Sequence, residues 1–88
     1  MNRYKFIFIG RVQGVGFRYR SYLIANKLNL TGFVRNLNNG NVEVQLQGEK
    51  INIENFINKI KNQKYIDIKD ILIEEKEVIK ENSFIIKN

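Results

Sequence analysis

The residue types best suited to chemistry are concentrated in one stretch near the N-terminus, Gly10-Arg11-Val12-Gln13-Gly14-Val15-Gly16-Phe17-Arg18. Its three glycines let the backbone turn tightly and direct several N–H groups into one concavity, which is a geometry that binds anions. Arg18 adds a permanently charged guanidinium that can contact a phosphate through two donors. We therefore predict an anion site, above all for phosphate, made by the backbone of residues 10–16 and by Arg18.

This stretch does not follow the two commonest phosphate-binding patterns. No Gly-Lys-Ser/Thr follows it, so it is not a Walker A loop, and its spacing does not fit the dinucleotide-binding fingerprint. On spacing alone, the glycines could simply make a sharp connection while Arg18 stays solvated. Both interpretations are open at this point.

Asn36 is a second candidate, because its amide can accept a hydrogen bond from a water and donate one to an oxyanion. The alternative is a plain turn residue before Asn38-Asn39-Gly40.

The chain contains no Cys and no His, which excludes disulfides, a thiol nucleophile and a thiolate metal site, and removes the usual general base. The chemistry expected of such a site relies on positioning and charge.

The elements that must position these residues follow from the apolar pattern. We predict strands over residues 4–9, 30–37, 41–47, 66–73 and 83–86, and helices over residues 16–28 and 50–62. The strand over residues 66–73 is expected to carry one irregularity between Ile68 and Ile71. The Asn38-Asn39-Gly40 turn joins the second and third strands as a hairpin.

This order predicts an α+β fold of the ferredoxin-like split βαββαβ type, with an antiparallel sheet, two helices on one face and a short extra C-terminal edge strand. Residues 1–88 are expected to form a single domain. In this arrangement strand 3 lies between strands 1 and 2, so strands 1 and 2 run parallel. The loop of residues 10–16 should then lie near Asn36, while Phe6 and Phe8 should pack beneath the helices.

Charge and composition narrow the function. Fifteen Lys and Arg against nine Asp and Glu give a net charge of +6, which favours an anionic partner such as nucleic acid, a membrane surface or a small phosphate compound. No apolar run is long enough to span a membrane, and the apolar run of residues 6–9 is too short for a signal peptide. We expect a cytoplasmic protein.

Two stretches resemble the signatures of the acylphosphatase family. The first is residues 10–18, and the second is Gly32-Phe33-Val34-Arg35-Asn36-Leu37-Asn38-Asn39-Gly40-Asn41-Val42, with Gly48 six residues later. Chain length and element order are also similar, so the resemblance covers essentially the whole chain. It departs from the family in detail only: Asn29 stands where Gly is usual, and Ser83-Phe84 where a Gly-Phe pair is common.

The resemblance implies hydrolysis of a small acyl phosphate to a carboxylate and inorganic phosphate, by a monomeric enzyme without metal or cofactor. It also implies that Arg18 holds the phosphoryl group, that Asn36 positions the attacking water and that the backbone of residues 10–16 cradles the phosphate oxygens. The chemistry agrees, because a carboxylate leaving group with a pKa of about 4 needs neither an acid nor a metal. The water's proton can go to a phosphoryl oxygen of the substrate.

Two rival functions share this fold. RNA recognition motifs have the same element order, and residues 7–12 resemble the shorter of their two motifs. However, strand 3 lacks the aromatic residues on which bases would stack. The other rival is a catalytically silent phosphate-binding module or a domain of a larger hydrogenase-maturation carbamoyltransferase. A silent member is expected to have lost Arg18 or Asn36, and both are present, so we expect an active enzyme. No further domain follows in this sequence, and we therefore expect a free-standing enzyme, without a nucleic-acid or membrane partner.

Overall fold

Seven elements follow one another in the computed structural model, which describes residues 1–88. They are β1 (Asn2–Arg11), α1 (Phe17–Lys27), β2 (Thr31–Asn36), β3 (Val42–Gly48), α2 (Lys50–Lys61), β4 (Asp67–Lys76) and β5 (Phe84–Lys87). The predicted order and every predicted element are therefore confirmed, with β1 longer at both ends and β4 longer at its C-terminal end than the sequence pattern indicated. Neither helix is long and apolar enough to cross a membrane.

The strands form one sheet in the order β4-β1-β3-β2-β5. β3 lies between β1 and β2 and is antiparallel to both, which confirms the predicted placement and makes β1 and β2 parallel to each other. β5 is parallel to β2, so the five-stranded sheet is mixed rather than wholly antiparallel. β4 is antiparallel to β1 and therefore runs opposite to β2. After β4 the chain crosses the sheet to the edge formed by β2 and reverses its direction, so β5 runs parallel to β2.

The core lies between the sheet and the two helices. Alternation along β1 and β3 directs Phe6, Phe8 and Val44 to the same face, and all three are buried, as predicted for the two phenylalanines. The helices contribute buried side chains at three- and four-residue spacing, namely Phe17, Ser21, Ile24 and Ala25 from α1 and Ile53, Phe56 and Ile60 from α2. The helices therefore cover one face of the sheet.

An irregularity interrupts the pairing of β1 with β4 where the sequence predicted one. Ile9 pairs with Asp70 whereas Gly10 pairs with Ile68, so Lys69 is the extra residue of a β-bulge. Gly10 has a φ of 137°, and a Cβ atom there would clash with the carbonyl oxygen of Asp67. Glycine is therefore needed at this position for the close approach of two strands.

The sheet face opposite the helices carries a polar network centred on Arg3, which is only 3% exposed. Its guanidinium donates to Glu81 Oε1 (2.7 Å) from Nη1, to Gln47 Oε1 (3.2 Å) from Nη1, and to Gln45 Oε1 (3.1 Å) from Nε. Gln47 in turn bonds both the carbonyl oxygen and the N–H of Ile79. The segment of residues 77–83, which joins β4 to β5, is thereby fixed across this face.

Candidate active site

The connection from β1 to α1 forms a concave turn of free backbone donors. Gly14 and Gly16 have φ values of 74° and 80°, in the left-handed region that favours glycine. Gly16 is also the N-cap of α1, where no side chain caps the helix, and no acidic residue lies in the first turn. The N–H groups of that turn and the positive end of the helix dipole are consequently available to an anion.

A pocket of about 190 Å³ lies at this turn, lined by Val12, Gly14, Gly16, Phe17, Arg18, Tyr19 and Asn36. It contains both residues that the sequence singled out, although 18 positions separate them in the chain. They meet because β1 and β2 run parallel, with β3 between them, and end at the same edge of the sheet. The site is therefore shared between the β1–α1 connection and the end of β2.

Arg18 lies in the first turn of α1 and is half-buried. Its Nη1 donates one long hydrogen bond, 3.4 Å, to the backbone carbonyl oxygen of Lys87 in β5. The ion pairs of the protein involve Arg3, Arg35 and Lys76, and none involves Arg18. The positive charge of Arg18 therefore has no carboxylate to neutralise it, and most of its donors remain available to a bound anion.

Asn36 is the last residue of β2 and pairs with Val42 of β3. Its side chain is half-buried, faces the pocket and makes no hydrogen bond within the protein. The strand ladder on its own backbone fixes the position of the residue, while the amide group stays free to bind a water or a ligand oxygen. This combination suits a group that must orient a small molecule.

The remaining residues of the predicted loop have different surroundings. Gly10 and Arg11 are the last residues of β1 and pair with Ile68 and Asp67, so they do not line the pocket. Gln13 Nε2 donates to two carbonyl oxygens of the β2–β3 connection. Of the two valines, Val12 is buried at the pocket, and Val15 packs partly buried against the core.

Tyr19 lines the pocket, but nothing in the sequence pattern predicts a functional role for it. It follows Arg18 in the first turn of α1, is 61% exposed and lines the same pocket. The one feature of the sequence that points to Tyr19 is its position next to Arg18, in the first turn of α1, where Phe17 begins the buried face of the helix. Tyr19 thus places an exposed aromatic side chain at the same pocket as Arg18 and Asn36.

Other parts of the molecule lack this chemistry. The described chain has no group of three or more His, Cys, Asp or Glu side chains that could hold a metal ion. A larger cleft of about 420 Å³ between α2 and strands β1 and β4 is lined mainly by apolar side chains such as Phe6, Ile53 and Ile57. The anion site is therefore identified by its donors rather than by its volume.

Comparisons with known proteins identify the same family over nearly the whole chain. A family model described as Acylphosphatase matches residues 4–86. The acylphosphatase of Clostridium beijerinckii is 56% identical over 61 residues, covering 69% of this chain and 68% of that protein. The acylphosphatase of Methanospirillum hungatei is 42% identical over 89 residues, covering 99% and 98%. The crystal structure of an acylphosphatase from Bacillus subtilis is similar with a TM-score of 0.93 and 34% identity, covering 100% of both chains.

Proposed function

The chain belongs to the acylphosphatase family, and on that basis we propose that it hydrolyses the carboxyl–phosphate bond of acyl phosphates to a carboxylate and inorganic phosphate. In this proposal Arg18 binds the phosphoryl group and Asn36 positions the attacking water. The backbone of the loop after β1 holds the phosphoryl oxygens, and no metal or cofactor takes part. The enzyme acts as a monomer in the cytoplasm on a small substrate.

The observation that carries the proposal is the shared pocket. It combines free N–H groups at an uncapped helix N-terminus, a guanidinium without an acidic partner and an amide without a hydrogen bond. The first two are what a dianionic phosphoryl group requires, because a helix N-terminus and an arginine both favour negative charge. The third can hold a neutral water beside that group.

The reaction needs few protein groups. The water oxygen attacks phosphorus while the bond from phosphorus to the acyl oxygen breaks, and the leaving group departs as a carboxylate. One water proton passes to a phosphoryl oxygen, so that an acyl phosphate dianion and water give a carboxylate and dihydrogen phosphate. Arg18 and the loop N–H groups stabilise the charge on the phosphoryl oxygens, and Asn36 fixes the line of attack.

The absence of His and Cys fits this reaction better than the hydrolysis of a phosphate monoester. An alkoxide leaving group needs an acid or a metal ion, whereas a carboxylate with a pKa of about 4 leaves without either. Metal independence is therefore part of the proposal. The chain's lack of a cluster of metal-ligating side chains is consistent with it.

Binding of single-stranded RNA is the less favoured alternative. On β3 the sheet face without helices presents Glu43, Gln45 and Gln47, which bond other groups of the protein, and no aromatic residue on which a base could stack. A silent phosphate-binding module stays distinguishable by experiment, because it would bind phosphate at the same pocket without turnover.

The proposal is tested by measuring hydrolysis of benzoyl phosphate in EDTA for the wild type, Arg18→Ala and Asn36→Ala. The wild type should turn over. Asn36→Ala should keep most of its affinity for inorganic phosphate but lose about 10²-fold or more in kcat, the scale for removing one key polar group. Arg18→Ala should lose both phosphate binding and nearly all turnover.

Two results would contradict the proposal. A folded wild type without turnover in EDTA would mean a silent binding module or a metal-dependent reaction, and adding Mg²⁺ distinguishes these two. An Asn36→Ala enzyme as active as the wild type would remove the water-positioning role from Asn36. Circular dichroism of each variant provides the folding control.

A further inference from the structure

Gln13 joins the two halves of the candidate site. Its side-chain amide donates to the carbonyl oxygen of Leu37 (2.8 Å) and to the carbonyl oxygen of Asn41 (2.8 Å), across 24 and 28 positions of sequence. An amide NH₂ group has two hydrogens, and both are used here. Gln13 is not among the residues that line the pocket, and its side chain is engaged with the hairpin rather than directed at a ligand.

Both acceptors lie next to residues that define the position of Asn36. Leu37 follows Asn36 directly, and Asn41 precedes Val42, the residue with which Asn36 pairs across the β2–β3 ladder. The N–H of Leu37 also donates to the carbonyl oxygen of Asn41 at 2.8 Å, which closes the neck of the hairpin. Gln13 therefore holds the hairpin neck immediately beside Asn36.

Gln13 also lies next to the anion site. It directly precedes Gly14, and Gly14 and Gly16 are the two glycines with left-handed backbone angles that line the pocket. A single side chain thus spans from the turn that would hold the phosphoryl group to the hairpin that carries the water-positioning amide. No other side-chain hydrogen bond links the β1–α1 connection to the β2–β3 connection.

We propose that Gln13 is a positioning residue that sets the separation between the phosphoryl group in the loop and the water held by Asn36. This inference rests on the proposed function. Misplacement of reacting groups by about 1 Å can cost about 10²-fold in rate while leaving binding largely intact. Gln13 should therefore act on kcat, and it should do so through Asn36.

A double-mutant cycle tests this dependence. Gln13→Met keeps the length of the side chain and removes both donors. Alone it should lower kcat for benzoyl phosphate by about 10-fold or more and change the inhibition constant of inorganic phosphate by less than about threefold. In the Asn36→Ala background the same substitution should lower kcat by less than about twofold, because the water is no longer positioned.

A matched control is Gln45→Met. Gln45 also makes two side-chain hydrogen bonds, accepting from Arg3 and donating to Glu43, but it lies on the sheet face opposite the helices and does not line the pocket, so kcat should stay at the wild-type value. If Gln13→Met does not fold, the cycle is repeated with Gln13→Asn. This variant keeps a polar amide but is too short to reach both carbonyls, and the same dependence on Asn36 is expected.

Three outcomes would overturn the Gln13 proposal while the proposed function stands: multiplicative effects in the cycle, a wild-type kcat for Gln13→Met, or a loss confined to phosphate affinity. Failure of the proposed function has a different signature. In that case Asn36→Ala alone would retain the wild-type kcat, or the wild type itself would not hydrolyse benzoyl phosphate.

Discussion

Ser21 has the only buried side-chain polar atom that lacks a hydrogen-bond partner. It lies in the middle of α1 on the face that packs against the sheet and is fully buried. A buried hydroxyl without a partner has lost its bonds to water and gained none in return. It therefore opposes folding rather than supporting it.

We expect Ser21→Ala to leave stability unchanged or to raise it by up to about 1 kcal/mol, because alanine removes the unsatisfied group and has the higher helix propensity. Urea unfolding at neutral pH measures the change. Ser83→Ala, at the exposed second serine, is the control and should have no effect. A clear destabilisation by Ser21→Ala would show that the hydroxyl has a partner in solution.

Glu43 has a pKa below its ordinary value. Burial by itself raises the pKa, but hydrogen bonds from Gln45 and Arg35 and the positive charges of Arg35 and Lys5 outweigh that effect and lower it. Arg35 Nε is 2.7 Å from Glu43 Oε1. The charged form is therefore favoured more in the folded protein than in the unfolded chain.

A carboxylate with a lowered folded-state pKa stabilises the protein above its unfolded pKa, and this contribution is lost as pH falls through the folded value. The melting temperature of the wild type should therefore fall as pH drops below about 4.3, the ordinary pKa of Glu. In Glu43→Gln this acid-induced fall should be smaller, whereas Glu54→Gln, an exposed control, should behave as the wild type. Identical pH profiles for Glu43→Gln and the wild type would contradict the assignment.

At the scale of elements, β5 owes its position to the segment that precedes it. Residues 77–83 cross the sheet face that lacks helices, and the ion pair of Arg3 with Glu81 (2.7 Å), with side chains 3% and 17% exposed, fixes that crossing. β5 then pairs with β2 and places the carbonyl oxygen of Lys87 near Arg18. The ion pair therefore supports an element that borders the site.

Removing one partner of a buried ion pair leaves an uncompensated charge. We expect Glu81→Ala to lower the free energy of unfolding by about 3 kcal/mol, because Arg3 would keep only its two glutamine acceptors. Glu77→Ala, an exposed residue of the same segment, should change it by less than about 0.5 kcal/mol. Equal effects of the two variants in urea unfolding would contradict a structural role for the ion pair.

The sequence predicted the order of elements and the meeting of Arg18 with Asn36 because both follow from local pattern and topology. Apolar periodicity located the strands and helices, and the placement of β3 between β1 and β2 brought the two chain segments to one edge. The bulge near Lys69 was also predictable, since the alternation of isoleucines in β4 breaks there. Local rules are sufficient for features of this kind.

Features that depend on contacts between distant residues were not predictable. Nothing in the surrounding sequence indicates that Arg3 is buried, because its partners lie more than 40 positions away. The direction of β5 depends on where the chain crosses the sheet, and the bonds of Gln13 depend on the hairpin neck. Whether Tyr19 lines the pocket depends on the side of α1 that faces the end of β2.

For the molecule as a whole, the net charge of +6 should attract an anionic substrate through a long-range electrostatic interaction, and added salt screens this interaction. We expect kcat/KM for benzoyl phosphate to fall several-fold between about 10 mM and 300 mM salt, with kcat unchanged. A variant with Lys59→Glu and Lys61→Glu, both in α2 and away from the pocket, should have a lower kcat/KM at low salt and a flatter salt dependence. A salt dependence identical to that of the wild type would point to competition by the salt anion instead of steering.

In the proposed reaction, a water molecule attacks the phosphorus of a phosphoryl group held by Arg18 and the loop N–H groups. The most direct test is a single hydrolysis of benzoyl phosphate in ¹⁸O-enriched water with EDTA present, followed by mass spectrometry of both products. Because the water oxygen bonds to phosphorus in this reaction, we expect the label to enter inorganic phosphate and not benzoate. Label in benzoate would mean attack at the carbonyl carbon, and would contradict the proposed roles of Arg18 and Asn36.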